Sequence, residues 1–162
     1  MRPVEMSSHL VNIRPPTQRE RWALDLVDKH AERSRDKSTQ VGCVITSPDN
    51  VMVAGGWNDF PRGVDDTDDE RRTERPLKYW WTEHAERNAI YNAGRSGVPL
   101  KGCYMYLRWF PCCDCSRAII QSGIARLVCT EPDWNDERWG DQFAVSIKML
   151  TQAGVQVVFL EE

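Results

Sequence analysis

The sequence contains no apolar run approaching the roughly 20 residues that a membrane-spanning helix needs. A membrane-embedded helix is therefore excluded as its organising element. It also lacks a basic excess: 21 lysines and arginines face 24 aspartates and glutamates, for a net charge of −3, with the two signs interspersed. A long nucleic acid calls for a basic stripe, and none is present; a local cluster can still hold a single phosphate. Met1 to Pro16 has no apolar stretch of the secretory-leader kind, and no internal repeat or low-complexity tract is found. These absences favour a soluble, cytoplasmic chain with no membrane partner. At 162 residues it suits one domain that buries most of its unfolded surface.

What is present is ordered around helix and strand patterns. Residues 1–16 show no periodicity and end in Pro15-Pro16, which reads as an N-terminal arm, leaving 17–162 as the domain. Thr17, with Glu20 three residues on, forms a capping box that opens a helix down to about Arg35. Val41–Ser47 and Val51–Trp57 flank the turn Pro48-Asp49-Asn50 as a hairpin. A long polar loop over 58–76 follows, then Leu77–Trp81 and a helix capped by Thr82 that runs to about Ala93. Cys103–Trp109 reads as a strand, Cys112–Gln121 as a helix after Pro111 and closed by Gly123. Ala125–Thr130 is a strand, a polar loop carries Trp134 and Trp139, and a helix near 141–153 precedes a last strand, Val155–Leu160. This order predicts an α/β fold of three layers, α/β/α, with a five-stranded mixed sheet. Of the six cysteines, Cys43, Cys103 and Cys129 lie in apolar strand-like runs and read as buried free thiols, which suits a reducing compartment.

Two short stretches carry chemistry: His84-Ala85-Glu86, and Pro111-Cys112-Cys113-Asp114-Cys115. One imidazole and two thiolates at such spacing form the ligand set of a zinc deaminase, with a glutamate that is not a ligand moving protons. Three protein ligands leave the fourth tetrahedral position open, as a catalytic Zn2+ requires. Cys112 and Cys115 share one helix face, and the positive helix end favours their thiolates. His84 is then the third ligand and Glu86 the catalytic acid and base. A redox pair or half of a structural zinc site are the bland readings of a lone C-x-x-C, and Cys113 leaves a second ligand register open. Around this centre, Asn58 suits a sugar hydroxyl or base edge. Trp109, Phe110 and Trp134 suit stacking on a flat base, although packing claims most aromatics. Arg62, with Arg71, Arg72, Arg75 and Lys78, can gather round a phosphate, or else neutralise the acidic run over residues 65–70.

At these residues the chain resembles the cytidine deaminase superfamily and, within it, the deoxycytidylate (dCMP) deaminases. The likeness extends through Thr39-Gln40-Val41-Gly42-Cys43, Gly56-Trp57-Asn58, Arg71-Arg72-Thr73-Glu74, Lys78-Tyr79, Ile119 to Ile124 and Ala153-Gly154-Val155. The resemblance implies a cytidine deaminase-like fold and a nucleotide substrate, with hydrolysis of dCMP to dUMP and ammonia feeding thymidylate synthesis. It further implies Asn58 on sugar or base, the following loop near the phosphate, a hexamer or dimer, and dCTP and dTTP as opposed effectors bound partly by that loop. The family's G-Y-N-G-x-P here reads Gly56-Trp57-Asn58-Asp59-Phe60-Pro61, and the Asp59 carboxylate would repel a triphosphate, which argues against such control. Trp80-Trp81 is unusual before the metal helix and keeps a free base, a nucleoside or another aminated heterocycle open as substrate. A non-catalytic zinc-binding module is the remaining alternative, and an intact Glu86 argues against it.

Overall fold

The computed structural model describes residues 1–67 and 70–161. Its centre is one mixed sheet built from β1 (Val11–Arg14), β2 (Gly42–Thr46), β3 (Met52–Trp57), β4 (Tyr104–Leu107), β5 (Arg126–Cys129) and β6 (Gln156–Leu160), ordered β1-β6-β5-β4-β2-β3. The β2–β3 hairpin is antiparallel, β2 joins β4 antiparallel, and β4, β5, β6 and β1 run parallel. Successive residues face opposite sides of a strand. Cys43, Ile45, Met105, Leu107, Leu127, Cys129, Val157 and Phe159 accordingly enter one core, while Val44, Tyr106, Val128, Val158 and Leu160 enter the other.

Helix α1 (Gln18–Ala31) covers the second core through Ala23, Leu24 and Val27. Helices α4 (Ala85–Arg95), α5 (Cys113–Ser122) and α6 (Gly140–Gln152) cover the first through Ala85, Ala89, Ala93, Ile119, Ile147 and Leu150. Two glycines allow helices to lie directly on the hairpin. A Cβ at Gly42 would stand 2.0 Å from the Val27 carbonyl oxygen of α1, and one at Gly56 would stand 2.5 Å from the Ala89 nitrogen of α4.

The sheet has six strands, not five. The extra one is β1, inside the segment read as an arm, and it pairs in parallel with β6 from Val11↔Val157 to Arg14↔Leu160. Four residues with a half-exposed edge carry too little alternation to stand out from sequence, and the double proline behind them reads as irregular chain. The 58–76 loop holds a short helix, α2 (Glu70–Thr73), followed by α3 (Leu77–Trp81). Asp68 and Asp69 of its acidic run lie outside the described residues. Among the described residues no helix is long and apolar enough to cross a membrane.

The start of α1 is fixed by the expected capping box: the Thr17 hydroxyl accepts from the Glu20 amide at 3.3 Å, and Glu20 accepts from the Thr17 amide at 2.8 Å. Glu20 also takes two N–H bonds from Arg14 of β1, each 2.8 Å. Burial alone would raise this carboxyl, but the Arg14 and Thr17 donors outweigh it and hold Glu20 at about 2. A depressed carboxylate stabilises the fold above its unfolded pKa and loses that contribution as pH falls toward the folded value. The shift corresponds to about 3 kcal/mol. Glu20→Gln should therefore lower the denaturant midpoint at pH 7, with the difference from wild type closing between about pH 4.5 and pH 2. A pH-independent difference would deny the Arg14–Glu20 pair this role.

Candidate metal centre and active site

The two chemical motifs meet because α4 and α5 begin side by side. His84 is the N-cap of α4 and Cys112 the N-cap of α5, both with extended backbone and neither side chain engaged in capping. Thr82, expected at that N-cap, instead ends α3. The shift leaves the spacing intact, since an N-cap side chain and the third helical residue face the same space over the first turn. His84 Nδ1 lies 3.6 Å from Cys112 Sγ and 3.4 Å from Cys115 Sγ, and all donor atoms of the three residues lie within 4.8 Å of one another.

Tetrahedral zinc with bonds of about 2.3 Å to sulfur and about 2.0 Å to nitrogen separates such donors by roughly 3.6 Å. The His84/Cys112/Cys115 set fits Zn2+ on that measure, and its two sulfurs and one imidazole are the donors the ion favours. Cys113 is turned away, its Sγ set 3.4 Å from the Gln142 carbonyl of α6. The described residues offer no fourth protein ligand, so the site has the open form of a catalytic centre.

Charges around the donors are strongly coupled. The hydrogen bond from Cys115, followed by that with His84, draws the Cys112 thiol down to about 4. The same shared proton, and then burial, pushes Cys115 up. His84 is raised chiefly by its bond to Cys112. Glu86 is buried, and desolvation raises its carboxyl against the opposing pull of His84. No salt bridge among the described residues reaches it. Cys43 of β2 and Cys129 of β5 are fully buried, and burial, with Glu86 as a lesser cause, pushes their thiols up.

The other expected site residues are dispersed. Asn58 is buried, its Oδ1 accepting from the Val41 amide at 2.8 Å and its Nδ2 donating to the Thr39 carbonyl at 2.9 Å. The carboxamide thus ties two loops together. Phe110 is buried against Trp134, Phe143 and Phe159 with centroid separations of 5.5–5.7 Å. Trp134 donates to Glu131 at 2.8 Å. Trp109 is the exposed aromatic, with 57 % of its surface open. Arg62 bonds Asn92 of α4 and lines a cleft of about 230 Å³ with Trp57, Asp59, Asp66 and Asn88. That cleft does not include the metal donors, and the donors, not the cleft, mark the chemistry.

Several arginines of the loop serve the chain's own carboxylates and rings. Arg72 is buried, 2.7 Å from Asp59 and over the Phe60 ring, while Arg71 lies over Trp81. Lys78 is buried too, paired with Asp36 at 2.7 Å. Sequence reasoning passed over Arg87, whose Nη1 reaches Cys115 Sγ at 3.7 Å while the rest of its guanidinium engages Glu83. A cation in the first turn of a helix opposes the macrodipole, and that was the available signal.

A three-layer sheet fold with a half-open imidazole–dithiolate site and a buried glutamate at adjoining helix starts defines the zinc-dependent hydrolytic deaminases. The profile of the cytidine and deoxycytidylate deaminase zinc-binding region matches residues 17–131, and the chain belongs to that family. It is 45% identical over 128 residues to an uncharacterised deaminase of the luxG 3' region of Aliivibrio fischeri, covering 78% of this chain and 83% of that one. It is 38% identical over 129 residues to human deoxycytidylate deaminase, with 77% and 70% covered, and 44% identical over 128 residues to that of phage T4, with 75% and 63% covered. The dCMP deaminase of cyanophage S-TIM5, in apo form, shares the fold with a TM-score of 0.70 at 23% identity over 90% of this chain and 99% of that one.

Proposed function

We propose that this protein hydrolyses dCMP to dUMP and ammonia, a step that supplies thymidylate synthesis in the cytoplasm. The observation that carries the chemistry is the buried Glu86 carboxyl, two residues past the donor His84 and beside an open three-donor site. The substrate rests on the relatives named deoxycytidylate deaminase.

His84, Cys112 and Cys115 would hold the zinc, which supplies the Lewis acidity that makes water a nucleophile at neutral pH. Glu86 takes a proton from the attacking water and gives it to the ring nitrogen of cytosine. Oxygen adds to C4; Glu86 then takes the second proton from that new hydroxyl and passes it to the amine, which departs as ammonia as the C4 carbonyl forms. A carboxyl raised by desolvation suits both halves of that exchange. Trp109, the exposed ring beside the ligand helix, is the aromatic we assign to the base.

One observation favours a second reading, an unphosphorylated ring. Arg62, Arg72 and Lys78 already have partners in Asn92, Asp59 and Asp36, which leaves fewer cations for a phosphate. The same pairs speak against dCTP and dTTP as effectors. A homo-oligomer, hexamer or dimer, accompanies the dCMP reading.

Ammonia release from zinc-loaded protein against dCMP, CMP, dCTP, deoxycytidine, cytosine, adenine and guanine tests the assignment. The expected result is a kcat/KM for dCMP at least about tenfold above deoxycytidine, the equivalent of one well-placed charged contact. Preference for an unphosphorylated ring would overturn the substrate and leave the deaminase chemistry in place.

A further inference from the structure

We infer that Arg2 and Glu131 are positioning residues for Trp134: through the Glu131 carboxylate, the N-terminal segment fixes which edge of that indole faces the substrate ring. The inference rests on the deaminase reading of the metal centre and not on which ring is the substrate.

The location comes from the sheet. Glu131 and Trp134 follow the carboxyl end of β5, which lies parallel to β4, and from the end of β4 the chain runs through Phe110 to the donor Cys112. Ligands of open α/β sheets sit outside those strand ends. Trp134 is half-buried there, edge-on to Phe110 at 5.7 Å and to Phe159 at 6.0 Å. The backbone of its loop is fixed without help from the indole. Asp136 accepts from the Arg138 and Trp139 amides at 2.8 Å each, and a Cβ on Gly140 would stand 2.8 Å from the Trp134 carbonyl oxygen.

What this packing leaves open is the orientation of the ring. The terminal torsion of a tryptophan has two broad wells, and contact with phenyl rings distinguishes them weakly. Glu131 selects one, its Oε1 accepting from Trp134 Nε1 at 2.8 Å. The same carboxylate takes Arg2 as a planar fork, Nε to Oε1 at 2.7 Å and Nη2 to Oε2 at 2.8 Å. Arg2 is anchored in turn: a single 3-10 turn, Val4–Ser7, lies on α6, and Met6 packs against the first core. The two ends of the chain's first 134 residues thus meet at one carboxylate, and an asymmetric ring at the ligand end of the sheet is what they orient.

The test compares wild type with Glu131→Leu, Arg2→Met and Arg2→Lys. It reads hydrogen exchange of the Trp134 indole N–H by 15N NMR (assigned with Trp134→Phe), zinc per chain, and kcat and KM on the ring of the panel above that is turned over best. Glu131→Leu removes a charged acceptor, so exchange should quicken at least about tenfold and KM rise by a similar factor. Zinc and kcat should hold. The Arg2 and Glu131 side chains are 60 % and 21 % exposed, so Arg2→Met should change exchange and KM by only about two- to fivefold, in the same direction. Arg2→Lys keeps the charge and should return both close to wild type. Wild-type exchange in Arg2→Met, or no recovery in Arg2→Lys, would show that the N-terminal segment does not hold the indole. Faster exchange with KM unchanged in both Glu131→Leu and Arg2→Met would overturn the substrate-facing role. Should Glu131→Leu fail to fold, Glu131→Gln removes the charge at equal size and must reproduce the Arg2→Met effect. A chain that turns over no ring of the panel would sink the deaminase reading and the substrate-facing role together; the exchange rates, which need no substrate, tell that failure apart from a failure of the Arg2–Glu131 hold.

Discussion

Glu86→Gln should lower kcat by about 10²–10⁴-fold, the range set by a positioned general acid and base, while zinc per chain stays unchanged. Glutamine matches the shape of the buried side chain but cannot carry a proton. The carboxylate is not a member of the His84/Cys112/Cys115 donor set, so its loss should leave the metal in place. Stability should not suffer either, since burial already works against the ionised form and an amide removes that penalty. Single-turnover ammonia release, metal analysis and thermal melting on the same preparation separate these effects. Full turnover in Glu86→Gln would remove the proposed proton carrier.

Gly42→Ala should be the most damaging small change for the fold. The added methyl carbon would sit 2.0 Å from the Val27 carbonyl oxygen and 2.7 Å from the Ala31 nitrogen. Both are backbone atoms of α1 and cannot rotate aside, so the whole helix must lift from β2. Overpacking usually costs about 1–3 kcal/mol and occasionally more; with backbone on the far side, a loss of at least about 3 kcal/mol is expected from urea unfolding. Gly94→Ala is the control, because nothing lies within 4 Å of its added carbon. It should be neutral or stabilising by up to about 1 kcal/mol, from helix propensity. Equal midpoints for the two variants would show that α1 does not rest on Gly42 as described.

The parts of the molecule written in local patterns were readable from sequence. Thr17 and Glu20 state their capping box outright, the β2–β3 hairpin follows from two apolar runs around a turn, and His84, Cys112 and Cys115 declare themselves by type and spacing. What was missed depends on contacts between distant residues. β1 becomes a strand only because β6 is beside it, and Val11–Arg14 alone has no reason to extend. Cys112 and Cys115 are the pair the C-x-x-C spacing favours, and the structure sets the alternative Cys113 against the Gln142 carbonyl, some thirty positions along. Chemical type marks Asn58 and Phe110 as candidates, and no sequence rule says that one also ties loops and the other also packs in the core. The arginines of the long loop show the same limit: Arg72 is one basic residue among several until Asp59 and Phe60 close around it.

The position of β1 at the edge beside β6 bears on how the protein is made. Val11–Arg14 leaves the ribosome long before residues 156–160, the strand it pairs with. During synthesis β2, β3, β4 and β5 can assemble in the order in which they appear, while this early segment waits unpaired for most of the chain. Closing so large a loop carries an entropy cost that grows only with the logarithm of its length. The Arg14–Glu20 pair spans only six residues and needs nothing of β6 to form. The first strand synthesised is therefore among the last to be sealed, and a nascent chain halted before residue 156 would display an open strand edge to its neighbours on the polysome.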